Sequence, residues 1–335
     1  MIPSSSTSVL ALLAVALLCW GTWGNTQKAA GKWRFELYYF DFALGTILIA
    51  LLAALTLGSM GDGFSFEDNL AISGKRQMAM AAGAGLIFNL GNMLLAAAVS
   101  LAGMAVAFPL AMGMALVVSV GWTLVWNPAG SVGLQAGGLG MALASVILVA
   151  LAHRGRGLQP ATGKRPDTGL KATLLAVLGG VAVGLYQPLL ALSRAGDLGL
   201  SAYGATVFFA VGILLSTLLF SLYFMNLPVQ GDAVPLRYYW RKPHGQHIWG
   251  LAGGLLWVVG LISLGLAASS APEVRAAPAL MLAVEYGSGA LAGLCGLLIW
   301  KEFAGASGSI RVRLLLGLVL FLVGVLLTAF GRQSV

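Results

Sequence analysis

Apolar residues in this chain fall in long unbroken runs, not in the alternation of a half-buried strand or the narrow stripe of a soluble helix. Ten runs reach the roughly 20 residues that a helix needs to cross the hydrocarbon core of a bilayer: Val9–Gln27, Leu37–Gly58, Met78–Ser100, Met104–Trp126, Val132–Leu151, Leu170–Leu192, Tyr203–Met225, Ile248–Ala268, Ala277–Trp300 and Val312–Phe330. The period-two pattern of an outer-membrane barrel strand is nowhere visible. The first run has no positive residue ahead of Val9 and no small-residue cleavage site after Cys19, so it reads as a membrane helix and not as a signal peptide. The pattern predicts an all-α membrane protein with ten transmembrane helices.

Composition narrows this further. Only 9% of the 335 residues are charged, 59% are hydrophobic and 46 are glycine, whereas an ordinary soluble domain is about 25% charged. A soluble globular fold could not hide so much apolar surface, and fibrous or disordered chains need repeats or polarity that are missing. Cys19 and Cys295 stand inside apolar runs without partner spacing, so neither a disulfide framework nor a metal site is implied. The net charge of +8 invites an acidic partner until its distribution is read. The loops after runs one, five, seven and nine hold 14 Lys and Arg, and the opposite side holds 5: Lys75, Arg76, Arg194, Arg275 and Arg332. By the positive-inside rule both termini face outward across the cell membrane, with the central loop His153–Gly169 in the cytoplasm. Topology explains the basic balance, and nucleic acid is not a partner.

The two halves, 1–152 and 170–335, repeat one another. Leu12-Leu13-Ala14-Val15 recurs as Leu174-Leu175-Ala176-Val177, and Gly21 and Trp23 match Gly184 and Tyr186. Gly45 matches Gly212 at an offset of 167, and Gly85, Gly91 and Pro109 match Gly254, Gly260 and Pro278 at 169. Five helices per half is odd, so the second copy enters the membrane upside down. Inverted repeats of this kind occur in secondary transporters, whose substrate site lies at the repeat interface near the midplane.

The five-plus-five plan resembles the drug/metabolite transporter superfamily, and within it the ureide permease family and the related glucose/ribose/rhamnose porters. The residues that carry the resemblance are Gly21-Thr22-Trp23, Tyr39-Phe40-Asp41-Phe42, Leu90-Gly91-Asn92, Ala152-His153 and Glu302-Phe303. The resemblance spans nearly the whole chain. It implies transport of ureides, purine-degradation products or pyrimidines first and of sugars second, with the fifth and tenth helices peripheral. Two departures stand out. The stretch from Gly157 to Gly163 is one residue too long for a phosphate-binding loop, and Arg165 replaces the Ser or Thr after Lys164, so no nucleotide is bound. Where the family has Ser-Pro in the sixth helix, this chain has Gln187-Pro188.

Several residues could carry function. Glu285 lies about 12 Å deep in the ninth run, with no cation at i±3 or i±4. A carboxylate there needs a cavity, a partner or a proton, so Glu285 is a proton-coupling candidate, a helix-joining acid being the alternative. Asp41 is the second coupling candidate, although an acid in the first turn of a helix also simply suits the dipole. The first run carries Trp20, Thr22, Trp23, Asn25 and Thr26, and its repeat partner carries Tyr186 and Gln187 beside Pro188. Aromatic faces beside amides and hydroxyls suit a small polar ring, and the two clusters are expected to face one another across a central cavity. An interfacial aromatic belt is the alternative. Asn89 and Asn92 share a face of the third run, where amides often only join helices. Trp257, in repeat position to Phe88, is a further pocket candidate, and Pro109 and Pro278 are expected kinks.

His153, His244 and His247 stand in or beside cytoplasmic loops, away from any metal-like spacing. Tyr238 to Lys242 reads as a lipid-facing segment. No nucleophile and base stand at workable spacing, so an enzyme is not expected, nor is a cofactor. The reading is a proton-coupled secondary transporter of a small polar solute, ureide- or nucleobase-like, with a sugar porter or small-molecule exporter as the alternative. A non-transporting scaffold or receptor would account for neither the repeat nor Glu285.

Overall fold

The computed structural model of the chain describes residues 3–60, 64–126, 128–158, 169–241 and 244–333. Most of the central loop, with Gly163, Lys164 and Arg165, lies outside the described residues, as does Lys242. Among the described residues the structure is helical, running α1 (Ser6–Thr22), α2 (Gly24–Ala29), α3 (Phe35–Leu55), α4 (Phe66–Ile72), α5 (Lys75–Ala102), α6 (Met104–Trp126), α7 (Val132–Gly157), α8 (Gly169–Ser193), α9 (Ala202–Asn226), α10 (Arg237–Arg241), α11 (His244–Ser269), α12 (Pro278–Leu298) and α13 (Gly308–Gln333). Ten of the described spans, with α1 and α2 counted together, are long and apolar enough to cross a membrane. This is a multi-pass membrane protein.

The helices overrun most of the apolar runs because polar flanks make good helix ends. Ser5 accepts the Ser8 amide at 3.2 Å and Ser201 the Gly204 amide at 3.1 Å, each satisfying a donor that the first turn leaves open. Arg194 closes the other end of α11, donating to the Gly265 carbonyl at 3.0 Å and to Ser269 Oγ at 2.6 Å. The short α4 is outside every apolar run. Its signal is Ser65-x-x-Asp68, a reciprocal cap in which the Ser65 amide donates to Asp68 at 3.0 Å and the Asp68 amide to Ser65 Oγ at 3.1 Å. Pro278 is not the expected kink: it opens α12, where a fixed φ and a missing N–H suit the first turn. Pro109 does lie inside α6.

The chain forms two compact units, and each draws on both halves of the sequence. The first takes residues 1–93 and 185–276, the second 94–184 and 277–335. In the first unit α3 packs against α9 and α11, and α1 against α11. In the second, α7 packs against α13 and α6, and α12 against α6 and α13.

Within the first unit one backbone contact is made twice. Gly254 of α11 lies on the Phe42 carbonyl of α3, and Gly45 of α3 lies on the Leu251 carbonyl of α11. Likewise Gly85 of α5 lies on the Phe209 carbonyl of α9, and Gly212 of α9 on the Ala82 carbonyl of α5. A Cβ at any of the four would collide with the facing oxygen. Phe42 and Phe209 are 167 residues apart, as are Gly45 and Gly212; Ala82 and Leu251 are 169 apart, as are Gly85 and Gly254. The offsets that relate the sequence halves therefore also relate these two crossings. Small residues bring helices together in lipid because no hydrophobic force separates helix from solvent there, and packing must supply the attraction.

Candidate functional site

The first span breaks at the aromatic-polar cluster. Between α1 and α2 the Thr26 amide bonds to the Trp23 carbonyl at 3.0 Å, three residues back. The Thr22 carbonyl accepts from Asn25 Nδ2 instead, at 2.9 Å. Thr22 Oγ1 turns back to the Leu18 carbonyl at 2.6 Å. Thr26 Oγ1 donates to the Trp23 carbonyl at 2.6 Å and lies 2.7 Å from the Tyr38 hydroxyl. Trp23 packs on Phe42, ring centroids 5.6 Å apart. These four predicted site residues thus organise the break and its contact with α3.

A second group gathers rings from five helical segments. Trp20 donates its indole N–H to the Trp257 carbonyl at 3.0 Å, and Gly260 has no side chain because the Trp20 ring lies on it. Trp257 in turn meets Phe88 at 4.0 Å between centroids and stacks on Phe209 at 5.3 Å with 6° between planes. Tyr186 stands edge-on to Phe88 at 5.3 Å, and its hydroxyl accepts from Gln187 Nε2 at 3.0 Å. Trp20 and Tyr186, expected to face one another across a cavity, are linked through Trp257 and Phe88. Asn89 bridges α5 to α9, with Nδ2 2.9 Å from Ser216 Oγ and 3.0 Å from Thr217 Oγ1. Asn92 is buried against Tyr39, and its Nδ2 has no hydrogen-bond partner among the described residues.

Asp41 forms the most chemically distinctive cluster. Its carboxylate is 2% exposed, accepts from the Tyr239 hydroxyl at 2.5 Å and lies 2.9 and 3.0 Å from His247 Nδ1. Trp33 stands edge-on to His247 at 5.1 Å, and Tyr239 does so at 4.7 Å. Gly250 leaves α11 room for the Asp41 side chain. Burial first, then the hydrogen bond and charge of Asp41, push the Tyr239 phenol above its ordinary range. Tyr239 therefore stays a donor to the Asp41 carboxylate. The expectation that Tyr238 to Lys242 simply faces lipid fails for Tyr239, because Asp41 offers its hydroxyl an acceptor.

In the second unit Glu285 is half-buried on α12, and the charge of Arg332, in the last turn of α13, acts on it. A cation that sequence spacing placed nowhere near Glu285 is supplied by the next helix. Glu302 is buried and receives the Met104 and Ala105 amides at 2.9 and 2.8 Å, so it closes the N-terminus of α6. Gly103, with φ +86°, makes the turn that brings those amides round, and a Cβ there would meet the Glu302 carboxylate.

No protein-family model and no curated protein matches this chain. Among solved structures, 21 chains are similar. One, described only as the crystal structure of a protein, covers 98% of this chain and 99% of its own with a TM-score of 0.56 at 16% identity. The likeness is one of fold.

Four site residues missed by sequence reasoning are Phe88, Phe209, Tyr239 and His247. Phe88 and Phe209 were open to detection, since they occupy the repeat positions of Trp257 and Phe42. His247 and Tyr239 left no local signal, because they reach Asp41 across 206 and 198 residues of chain. No group of three or more His, Cys, Asp or Glu side chains converges among the described residues.

Proposed function

We propose that this protein is a secondary transporter that takes up a small polar solute by alternating access and couples it to a proton. The doubled glycine crossing carries the reading. Internal repeats that pack by the same contacts are how carriers build two interchangeable gates around one site. The site is the ring group of Trp20, Trp257, Phe88 and Tyr186 with the Gln187 amide, and Trp23, Asn25 and Asn92 lie on its supporting helices. Flat faces beside amides suit a ureide or nucleobase, in line with the ureide permease resemblance; the same groups stack on a sugar, which is the alternative solute. Asp41, an ionisable group inside a span and bonded to an imidazole, is the coupling residue favoured by its partners. Glu285, set against Arg332, is its rival. The Lys and Arg bias supports a cell-membrane orientation with both termini outside, which a C-terminal tag digested by external protease would bear out.

Proteoliposomes with an imposed pH gradient test the reading, with allantoin, uracil, xanthine, glucose, ribose and rhamnose as solutes. Saturable uptake driven by the gradient is expected for a ureide or nucleobase. No saturable flux for any solute would leave a scaffold or receptor. Glu285→Gln is expected to keep accumulation; its loss there, with retention in Asp41→Asn, would move the proton site to α12.

A further inference from the structure

Where α12 ends and α13 begins, the chain lines a groove of about 390 Å³. Its lining is of two kinds. Leu297, Leu298, Leu314 and Leu315 supply hydrocarbon, and Lys301 and Arg311 supply charge. Leu298 and Leu315 are 71% and 52% exposed, which in a membrane-spanning helix is the state of a side chain that meets acyl chains. Lys301 and Arg311 are exposed as well. No ion pair of Lys301 or Arg311 is found among the described residues. The acid next in sequence, Glu302, receives the Met104 and Ala105 amides. A third cation reaches the same turn: the Arg156 guanidinium lies over the Phe303 ring, 4.7 Å from its centroid.

A wall of leucines beside two cations without acid partners matches one ligand chemistry, an anion joined to hydrocarbon. A free phosphate would leave the leucines unused. A zwitterionic lipid carries its own cation and would gain little from Lys301 and Arg311. We propose that this groove is a binding site for an anionic phospholipid, its acyl chain along Leu297, Leu298 and Leu315 and its headgroup phosphate between Lys301 and Arg311. The site is independent of the transported solute and of the coupling residue. It holds the turn between α12 and α13, whose Lys301 has φ +49°, against the bilayer surface.

The test titrates detergent-purified full-length protein with phosphatidylglycerol or phosphatidylcholine and counts bound lipid by native mass spectrometry. Phosphatidylglycerol is expected to bind the tighter. Lys301→Asn with Arg311→Gln removes both charges, with asparagine chosen because it tolerates the left-handed backbone at position 301. This pair is expected to weaken phosphatidylglycerol about thirtyfold and leave phosphatidylcholine unchanged. Ala304→Trp, which fills the groove and keeps both cations, is expected to lose phosphatidylglycerol too. An unchanged thermal transition in phosphatidylcholine reports that each variant is folded. Equal affinity for the two lipids, or undiminished phosphatidylglycerol binding in the charge variant, overturns the proposal. Displacement of the lipid by inorganic phosphate, at ionic strength matched with chloride, also overturns it in favour of a bare anion site.

Discussion

The crossings of α3 with α11 and of α5 with α9 use the same backbone contacts and differ in their side chains. At the first, Asp41 and His247 form a polar pair. The positions related to them by the same offsets, 167 and 169, are Phe208 and Met78. Glycine on carbonyl is common to both crossings, whereas the ionisable pair occurs in one. Packing in lipid asks only for close approach, so glycine recurs wherever these helices must touch. Chemistry is under no such demand and needs to occur once. The shared residues therefore report on the fold, and the unshared ones are where function is to be sought.

This contrast can be broken by experiment. Asp41→Asn should give the largest effect. One proton moving through about 150 mV carries about 3.5 kcal/mol, enough for a gradient of a few hundredfold. That accumulation should vanish while counterflow exchange and the thermal transition persist, and a variant that instead unfolds would make Asp41 a packing residue. Next come the glycines. Gly254→Ala and Gly85→Ala should each destabilise by about 2–3 kcal/mol through overpacking, read as a lowered thermal transition in detergent. Gly121→Ala and Gly137→Ala, where an added Cβ meets nothing within 4 Å, should be neutral or slightly stabilising. If only one crossing is sensitive, the two are not equivalent.

His247→Gln preserves a donor to Asp41 and removes the imidazole. About a tenfold fall in proton-driven flux is expected, with the solute affinity measured by thermal shift unchanged. The smallest effect belongs to Trp20→Phe, which deletes the indole donor to the Trp257 carbonyl. It should lower stability by about 1 kcal/mol; a full loss of solute binding would place the indole N–H on the ligand.

Much of the architecture was legible because a bilayer leaves a chain few options: ten long apolar runs became ten spans. Four of the glycines matched between the two halves, Gly45, Gly85, Gly212 and Gly254, lie at the two crossings. Side-chain partners were not legible. Thr22 and Asn25 looked like free hydrogen-bonding groups, yet they serve the helix break, since a backbone carbonyl three or four residues back lies within their reach. Glu285 looked isolated along its own helix, whereas the charge of Arg332, on the next one, acts on it. Glu302, one residue of a short motif, turned out to receive two amides of α6 that lie 198 and 197 residues earlier, so the role left no trace beside it.

Asn89 has a consequence for biogenesis. Most hydroxyls in these spans bond to their own helix, as Thr46, Thr206, Ser216 and Thr328 do, so each can leave the translocon with those donors already satisfied. The Asn89 amide instead reaches another helix, and its partner Ser216 is made 127 residues later. At about 5–20 residues per second, the third span waits roughly 6–25 s for α9 to emerge. During that interval the Asn89 amide is without the Ser216 and Thr217 hydroxyls that it meets in the folded chain, so the polar join between α5 and α9 is set by the later of the two to be made.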